Sequence, residues 1–179
     1  VRPAALRDGL ELRPVVMADA AAMVAAYALN REHLAPWEPV RTPEFYTEGW
    51  WRQELARYEA GYEAGSMLPL AVFDGDEVVG RFTLSAIEHG VFQNARLGYW
   101  VDHRLEGSGV ATGAVAVIVA HARDDLGLHR VEASTLLHNV ASQRVLERNG
   151  FERTGMAPRY LRIAGWWQDH YLFQRILDH

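Results

Sequence analysis

The sequence predicts an α+β domain built on one central mixed sheet, and three observations carry that expectation. Two β-type runs, residues 68–73 and 77–87, are joined by Asp74-Gly75-Asp76, a strong hairpin signal. A third run, residues 92–101, follows the turn at His89-Gly90, so the three should form an antiparallel meander. A glycine-rich segment then leads directly into an apolar helix, residues 110–126, ended by Gly127.

The remaining elements follow in order. Residues 9–16 read as a first strand, with Leu10 and Leu12 alternating with Glu11 and Arg13. Asp19 is the expected N-cap of an alanine-rich helix reaching Leu29, and Pro36 and Pro39 break the segment after it. A second long helix should open at Thr42-Pro43, a capping residue followed by proline at the first helical position, and end at Gly65. Within it Trp51, Leu55, Tyr58 and Tyr62 recur on one apolar face. Residues 130–136 form an alternating strand, and residues 141–148 a short helix stopped by Asn149-Gly150. A last strand pair, residues 151–163 and 167–176, turns at Ala164-Gly165.

Composition narrows the function classes. A chain of 179 residues, 49% hydrophobic, suits one domain with a substantial core. The absence of cysteine excludes disulfides, thiolate metal sites and a cysteine nucleophile. The eight histidines show no ligand spacing, so no metal is expected. Residues 1–9 lack the apolar run of a signal peptide, and the longest apolar stretch, residues 110–122, is too short to span a bilayer. A soluble cytoplasmic protein is therefore expected, with no membrane partner. All 18 cationic side chains are arginine, the net charge is -5, and no basic patch suggests direct nucleic-acid binding. Mild acidity would suit a cationic partner.

The most informative segment is Gly98 to Thr112, where a strand runs through Gly107-Ser108-Gly109 into a helix beginning Val110-Ala111-Thr112. Glycines allow close backbone approach, and the N–H groups of a first helical turn favour an anion such as a pyrophosphate. On local evidence alone, phosphate binding and a plain steric turn are equally good readings. The dinucleotide fingerprint and the P-loop lysine are both absent.

Gly109-Val110-Ala111-Thr112 resembles the acetyl-CoA motif of GNAT N-acetyltransferases, Q/R-x-x-G-x-G/A, in a frame that starts at Glu106 and continues with Gly109 and Ala111. Glu106 departs from the usual glutamine or arginine, which matters little where backbone amides bind. The run from Asn139 through Ser142 to Asn149-Gly150-Phe151 is similar to the N-x-x-S…L-E-x-x-G-F signature of the RimJ/RimL-type branch. Residues 34–41, 92–99 and 160–170 resemble the ribosomal-protein-alanine side of that branch, and the likeness covers about residues 10–177.

The resemblance implies a GNAT fold: a mixed, mostly antiparallel sheet flanked by helices, with a parallel strand pair splayed to admit acetyl-CoA. It places Leu97, Tyr99, Trp100 and Val101 on one splayed strand, pairing with the pantetheine and supplying an amide to the thioester oxygen. It puts Gly107, Ser108, Gly109, Val110, Ala111 and Thr112 around the pyrophosphate. Asn139 and Ser142 become cofactor-binding and catalytic candidates, Asn139 bonding the pantetheine and Ser142 protonating the leaving sulfur; read from the residues alone, Asn139 simply caps the helix. Trp37 and Glu38 fall in a loop that walls the acceptor site in relatives, and Tyr160 matches an acceptor-side position. Trp37 is an equally good core anchor for its loop.

The base stays open. Many relatives carry glutamate two residues before the glycine of the Gly-Tyr pair, and here that residue is Arg96. Glu88, His89, Glu132 and His138 are alternatives, each also readable as a surface or loop residue. Because an α-amine titrates near ~8, a dedicated base is optional. Asp169 is expected in structural hydrogen bonding. Trp50, Trp51, Trp166 and Trp167 are assigned to core and hairpin packing, the last two also being candidates for a homodimer interface.

The implied activity is acetyl transfer from acetyl-CoA to a primary amine, the N-terminal α-amine of a ribosomal protein with alanine or another small residue first. Two alternatives stand beside it: a small amine or aminoacyl-type antibiotic as acceptor, giving self-protection, and a non-catalytic acyl-CoA-binding module.

Overall fold

The computed structural model describes residues 2–177. Eight strands, β1 (Ala4–Ala5), β2 (Glu11–Pro14), β3 (Leu68–Asp74), β4 (Glu77–Glu88), β5 (Asn94–Val101), β6 (Arg130–Leu136), β7 (Glu152–Ile163) and β8 (Trp166–Ile176), form one sheet. Five helices accompany it: α1 (Ala20–Leu29), α2 (Arg31–Leu34), α3 (Glu48–Glu63), α4 (Val110–Asp124) and α5 (Val140–Arg148). The strand order is β1-β2-β3-β4-β5-β6-β8-β7, and every neighbouring pair is antiparallel except β5 and β6. This is the GNAT fold expected of the sequence.

The side-chain alternation of the strands divides the core into two layers. On one face Leu70, Val72, Leu84, Ala95 and Leu97 pack with Val115, Ile118 and Val119 of α4 and Leu146 of α5. On the other, Ala71, Phe73 and Trp100 pack with Met23 and Tyr27 of α1 and with Trp51, Leu55 and Tyr58 of α3. The aromatic group at the centre of this second layer is tightly ordered, with Tyr27 against Phe45, Trp51 and Trp100 at centroid distances of 4.8, 5.1 and 4.9 Å.

Two sequence expectations need correction. The cap-and-proline signal at Thr42-Pro43 opens a 3-10 turn, Pro43–Tyr46, rather than the long helix. Thr47 is extended, accepts the Trp50 N–H at 3.3 Å, and is the true cap of α3. Two capping threonines five residues apart are locally equivalent, and burial of Phe45 between them decides in favour of the second. Trp166 and Trp167, assigned to packing, are 76% and 63% exposed, because β7 is the sheet edge and its hairpin with β8 projects beyond the core. No helix among the described residues is long and apolar enough to cross a membrane.

Candidate active site

The parallel ladder between β5 and β6 is four residues long, from Asn94↔Arg130 to Leu97↔Ala133. Beyond it, residues 98–101 and 134–136 no longer face each other as partners, while β5 stays paired to β4 and β6 to β8. A cleft of about 970 Å3 occupies this divergence and is lined by residues 97–101 on one wall and 133–136 on the other. Exposed backbone edges inside a cleft are open to an extended ligand lying between them as an additional strand.

At one end of the cleft lies the glycine turn. Gly107 and Gly109 have φ of +70° and +87°, values that L side chains adopt only with strain. This conformation aims the first turn of α4 at the cleft, where the amides of Ala111 and Thr112 have no intrahelical acceptors. The side chains of Ser108 and Val110 face the protein instead. Ser108 Oγ donates to the Leu105 carbonyl at 2.6 Å and accepts the Val110 N–H at 3.3 Å, while Val110 is buried in the core. Arg7 donates to the Ser108 carbonyl, and Arg144 and Arg148 of α5 also line the cleft. Together, open amides and guanidinium groups suit a pyrophosphate or phosphomonoester. A side chain at position 109 would meet Arg7 Nη1 at 3.4 Å as well as the unfavourable φ. Gly109→Ala is therefore expected to raise the KM for acetyl-CoA about tenfold, from about 1–2 kcal/mol of backbone strain, with kcat little changed in steady-state kinetics.

Ser142 lies on the α5 side of the cleft, with Tyr99 Oη 2.9 Å from its hydroxyl and 3.2 Å from its carbonyl oxygen. Burial pushes the Tyr99 hydroxyl up to about 12, against the opposing effect of the Ser142 bond, so the phenol keeps its proton at neutral pH. Asn139 Oδ1 accepts the Ser142 N–H at 3.1 Å, the capping arrangement, while Asn139 also lines the cleft. Trp37, Glu38, Trp100 and His170 form the opposite region, on the side of the sheet that carries α1 and α3. Trp37 packs on the His138 ring at 5.2 Å, and Glu38 is held by Arg41 at 2.9 Å. His170, 3% exposed, has Nδ1 2.9 Å from the Gln168 carbonyl; that nitrogen carries the proton, which leaves Nε2 as an acceptor in the neutral ring.

Other sequence candidates lie elsewhere. Tyr160 does not line the cleft and meets it only through an edge contact of 5.7 Å with the His170 ring. Glu132 accepts from Asn94 Nδ2 at 3.2 Å and lies 3.8 Å from exposed Arg96, both within the closed part of the β5/β6 ladder. Glu88 and His89 are exposed and outside the cleft. Asp169 accepts the Arg159 N–H at 2.8 Å, a structural role.

Several site residues carried no sequence signal. Arg81, Arg144, Arg148, Arg162 and His170 line the cleft because strand and helix register bring them there, and single arginines have no motif. The lining contains five arginines, counting Arg41, against two glutamates, Glu38 and Glu106, so an acidic chain has a cationic cleft. Among the described residues no cluster of side chains suits a metal ion.

Residues 9–152 match the family described as acetyltransferase (GNAT) domain. The chain is 34% identical over 167 residues to the [ribosomal protein uS5]-alanine N-acetyltransferase of Escherichia coli K12, covering 92% of this chain and 86% of that one. The crystal structure of ribosomal-protein-S5-alanine acetyltransferase from Vibrio fischeri superposes with a TM-score of 0.95 at 30% identity, covering 99% and 98% of the two chains. Mycobacterium smegmatis RimJ, solved in complex with a CoA disulfide, gives 0.88 at 35% identity over 93% and 81%. The chain belongs to the GNAT acetyltransferase family, within its RimJ/RimL-type branch.

Proposed function

We propose that this acetyltransferase moves the acetyl group of acetyl-CoA to the N-terminal α-amine of a ribosomal protein that begins with alanine or another small residue. The observation that carries the reading is the single cleft through the β5/β6 divergence, whose lining brings the glycine turn and Ser142 together with Trp37, Glu38 and His170. On this reading the thioester lies along the glycine-turn side and the amine approaches past Trp37 and His170. The relatives' names, which specify alanine of ribosomal protein uS5, support the acceptor class. The CoA in the Mycobacterium smegmatis complex supports the co-substrate. A ribosomal acceptor would also put the enzyme in the cytoplasm.

Acetyl-CoA supplies an activated thioester, whose carbonyl oxygen becomes negative as the amine attacks; backbone amides of Trp100 or Val101 are the donors in reach of that oxygen. Ser142 donates its proton to the departing sulfur and is itself held by Tyr99. The amine's surplus proton passes to water, with His170 on the cleft wall as the candidate relay.

The test is an intact-mass assay of ribosomal proteins and, separately, of small amines, each incubated with enzyme and acetyl-CoA. One ribosomal protein gaining a single acetyl group at its N-terminus is the expected result. Acetylation confined to small amines would assign the enzyme to self-protection, and no CoA release with any acceptor would reduce it to a binding module.

A further inference from the structure

Arg81 is a cation that the chemistry above leaves unused. It projects from β4 beside Trp100, its partner across the β4/β5 ladder, and lines the cleft on the α1/α3 side. Nη1 donates to Tyr58 Oη at 2.9 Å, while Nε is buried with no hydrogen-bond partner. Among the described residues no carboxylate lies within ion-pairing distance of it.

The charges facing it come from every surrounding element. From α3, Glu54 is bonded to Arg57 at 3.0 Å, and from the segment after α2, Glu38 is bound to Arg41 at 2.9 Å. Tyr27 of α1 and Tyr58 of α3 are pushed by burial to higher pKa values and stay neutral. His170 of β8 and Arg162 of β7 add no negative charge. Two carboxylates therefore face four guanidinium groups, those of Arg41, Arg57, Arg81 and Arg162. Glu38 and Glu54 act on Arg81 only through space, each being bonded to another arginine, so positive charge is in excess.

We infer that Arg81 is a specificity-determining residue that bars a positive charge from the acceptor half of the cleft, so that the α-amine binds as the neutral nucleophile and lysine-type amines are rejected. This rests on the α-amine transfer reading. A fixed charge a few ångströms away through partly buried surroundings lowers the pKa of a bound amine by about one. An α-amine near ~7.8 then reaches the reactive form at neutral pH, whereas a lysine amine near ~10.4 stays an ammonium and is repelled. The balance is simple. The ammonium loses one proton to solvent on binding, and the nitrogen lone pair forms the C–N bond as the C–S bond breaks. The nitrogen then sheds a second proton, and the thiolate takes one up.

The test measures protons released when the amide Ala-Gly-Gly-Phe-NH2 binds the enzyme–CoA complex, by titration calorimetry at pH 7 in buffers of different ionisation enthalpy. Wild type should release about half a proton per peptide, the amount set by a lowering of about one from a free amine near ~7.8. Arg81→Gln should release less than about a tenth, and Arg81→Lys, which keeps the charge, should behave as wild type. Equal release by wild type and Arg81→Gln overturns the inference, as does Arg81→Lys matching Arg81→Gln; melting curves identify a variant that fails to fold. Acetylation of the same peptide is followed in parallel with acetyl-CoA. If no protein acetylates it, the transfer reading falls, whereas acetylation with equal proton release removes only the role of Arg81.

Discussion

Asp102→Ala is expected to lower the melting temperature by about 6–12 °C, from a loss of about 3 kcal/mol. The Asp102 side chain is fully buried where β5 ends, and it accepts from Arg104 Nε, Arg104 Nη2 and the Arg104 N–H, and from Asn30 Nδ2 at 3.0 Å. Asn30 Oδ1 in turn accepts the His103 N–H at 3.0 Å. Alanine would strand Asn30 without its charged partner, while half-exposed Arg104 can rehydrate, which keeps the estimate at the low end for a buried pair. The knot also fixes the path of the chain from β5 into the glycine turn, so the KM for acetyl-CoA should rise alongside. Burial opposes ionisation of Asp102, but the Arg104 and Asn30 bonds outweigh it and hold the carboxyl well below the usual carboxylate range. The folded pKa thus lies below the unfolded one near ~3.9, and the contribution to stability is complete above that value. It is lost as pH falls from about 4 toward the folded pKa. Melting curves of wild type and Asp102→Ala should therefore converge below pH 4, and parallel curves would contradict the assignment.

Ser142→Ala should lower kcat about 100-fold, the lower range for loss of a positioned proton donor, while the KM for acetyl-CoA changes less than about twofold. The split follows from geometry. On the proposed reading, phosphate and pantetheine contacts fall to the glycine turn and the open strand edges, and the Ser142 hydroxyl acts only where charge develops on sulfur. Tyr99 Oη, 2.9 Å from that hydroxyl, stays behind in the variant and can donate weakly in its place, which limits the loss. Stopped-flow measurement of CoA thiol release checks this directly. An unchanged kcat would remove Ser142 from the chemistry.

The sequence made the fold legible wherever a local pattern has a single solution. Asp74-Gly75-Asp76 is a strong hairpin signal, whereas the glycine turn ahead of an apolar helix read equally well as a phosphate cradle or a plain steric turn. The long helix was misplaced because Thr42 and Thr47 are equivalent caps until Phe45 is seen to be buried between them. The residues named for the co-substrate half came from the family resemblance, and of these Gly107, Gly109, Ala111, Thr112, Asn139 and Ser142 line the cleft. Of the acceptor half, Trp37 and Glu38 were named and line it, but its other members were not foreseen. Arg81, Arg162 and His170 are distant in sequence, and their common placement depends on strand register, which no short motif encodes. The Asn30–Asp102 pair, separated by 72 residues, was invisible for the same reason.

The four-residue ladder between β5 and β6 makes the sheet two leaves sharing a short spine. One leaf holds β1 to β5 and the other holds β6, β8 and β7. A co-substrate filling the gap acts as a rung between the leaves, so its binding energy is also cohesion of the protein. At one hundred times its dissociation constant, a ligand bound only by the folded state adds about 2.7 kcal/mol. If acetyl-CoA binds in this gap as proposed, the enzyme is expected to resist opening most when it is charged and to loosen as free CoA departs.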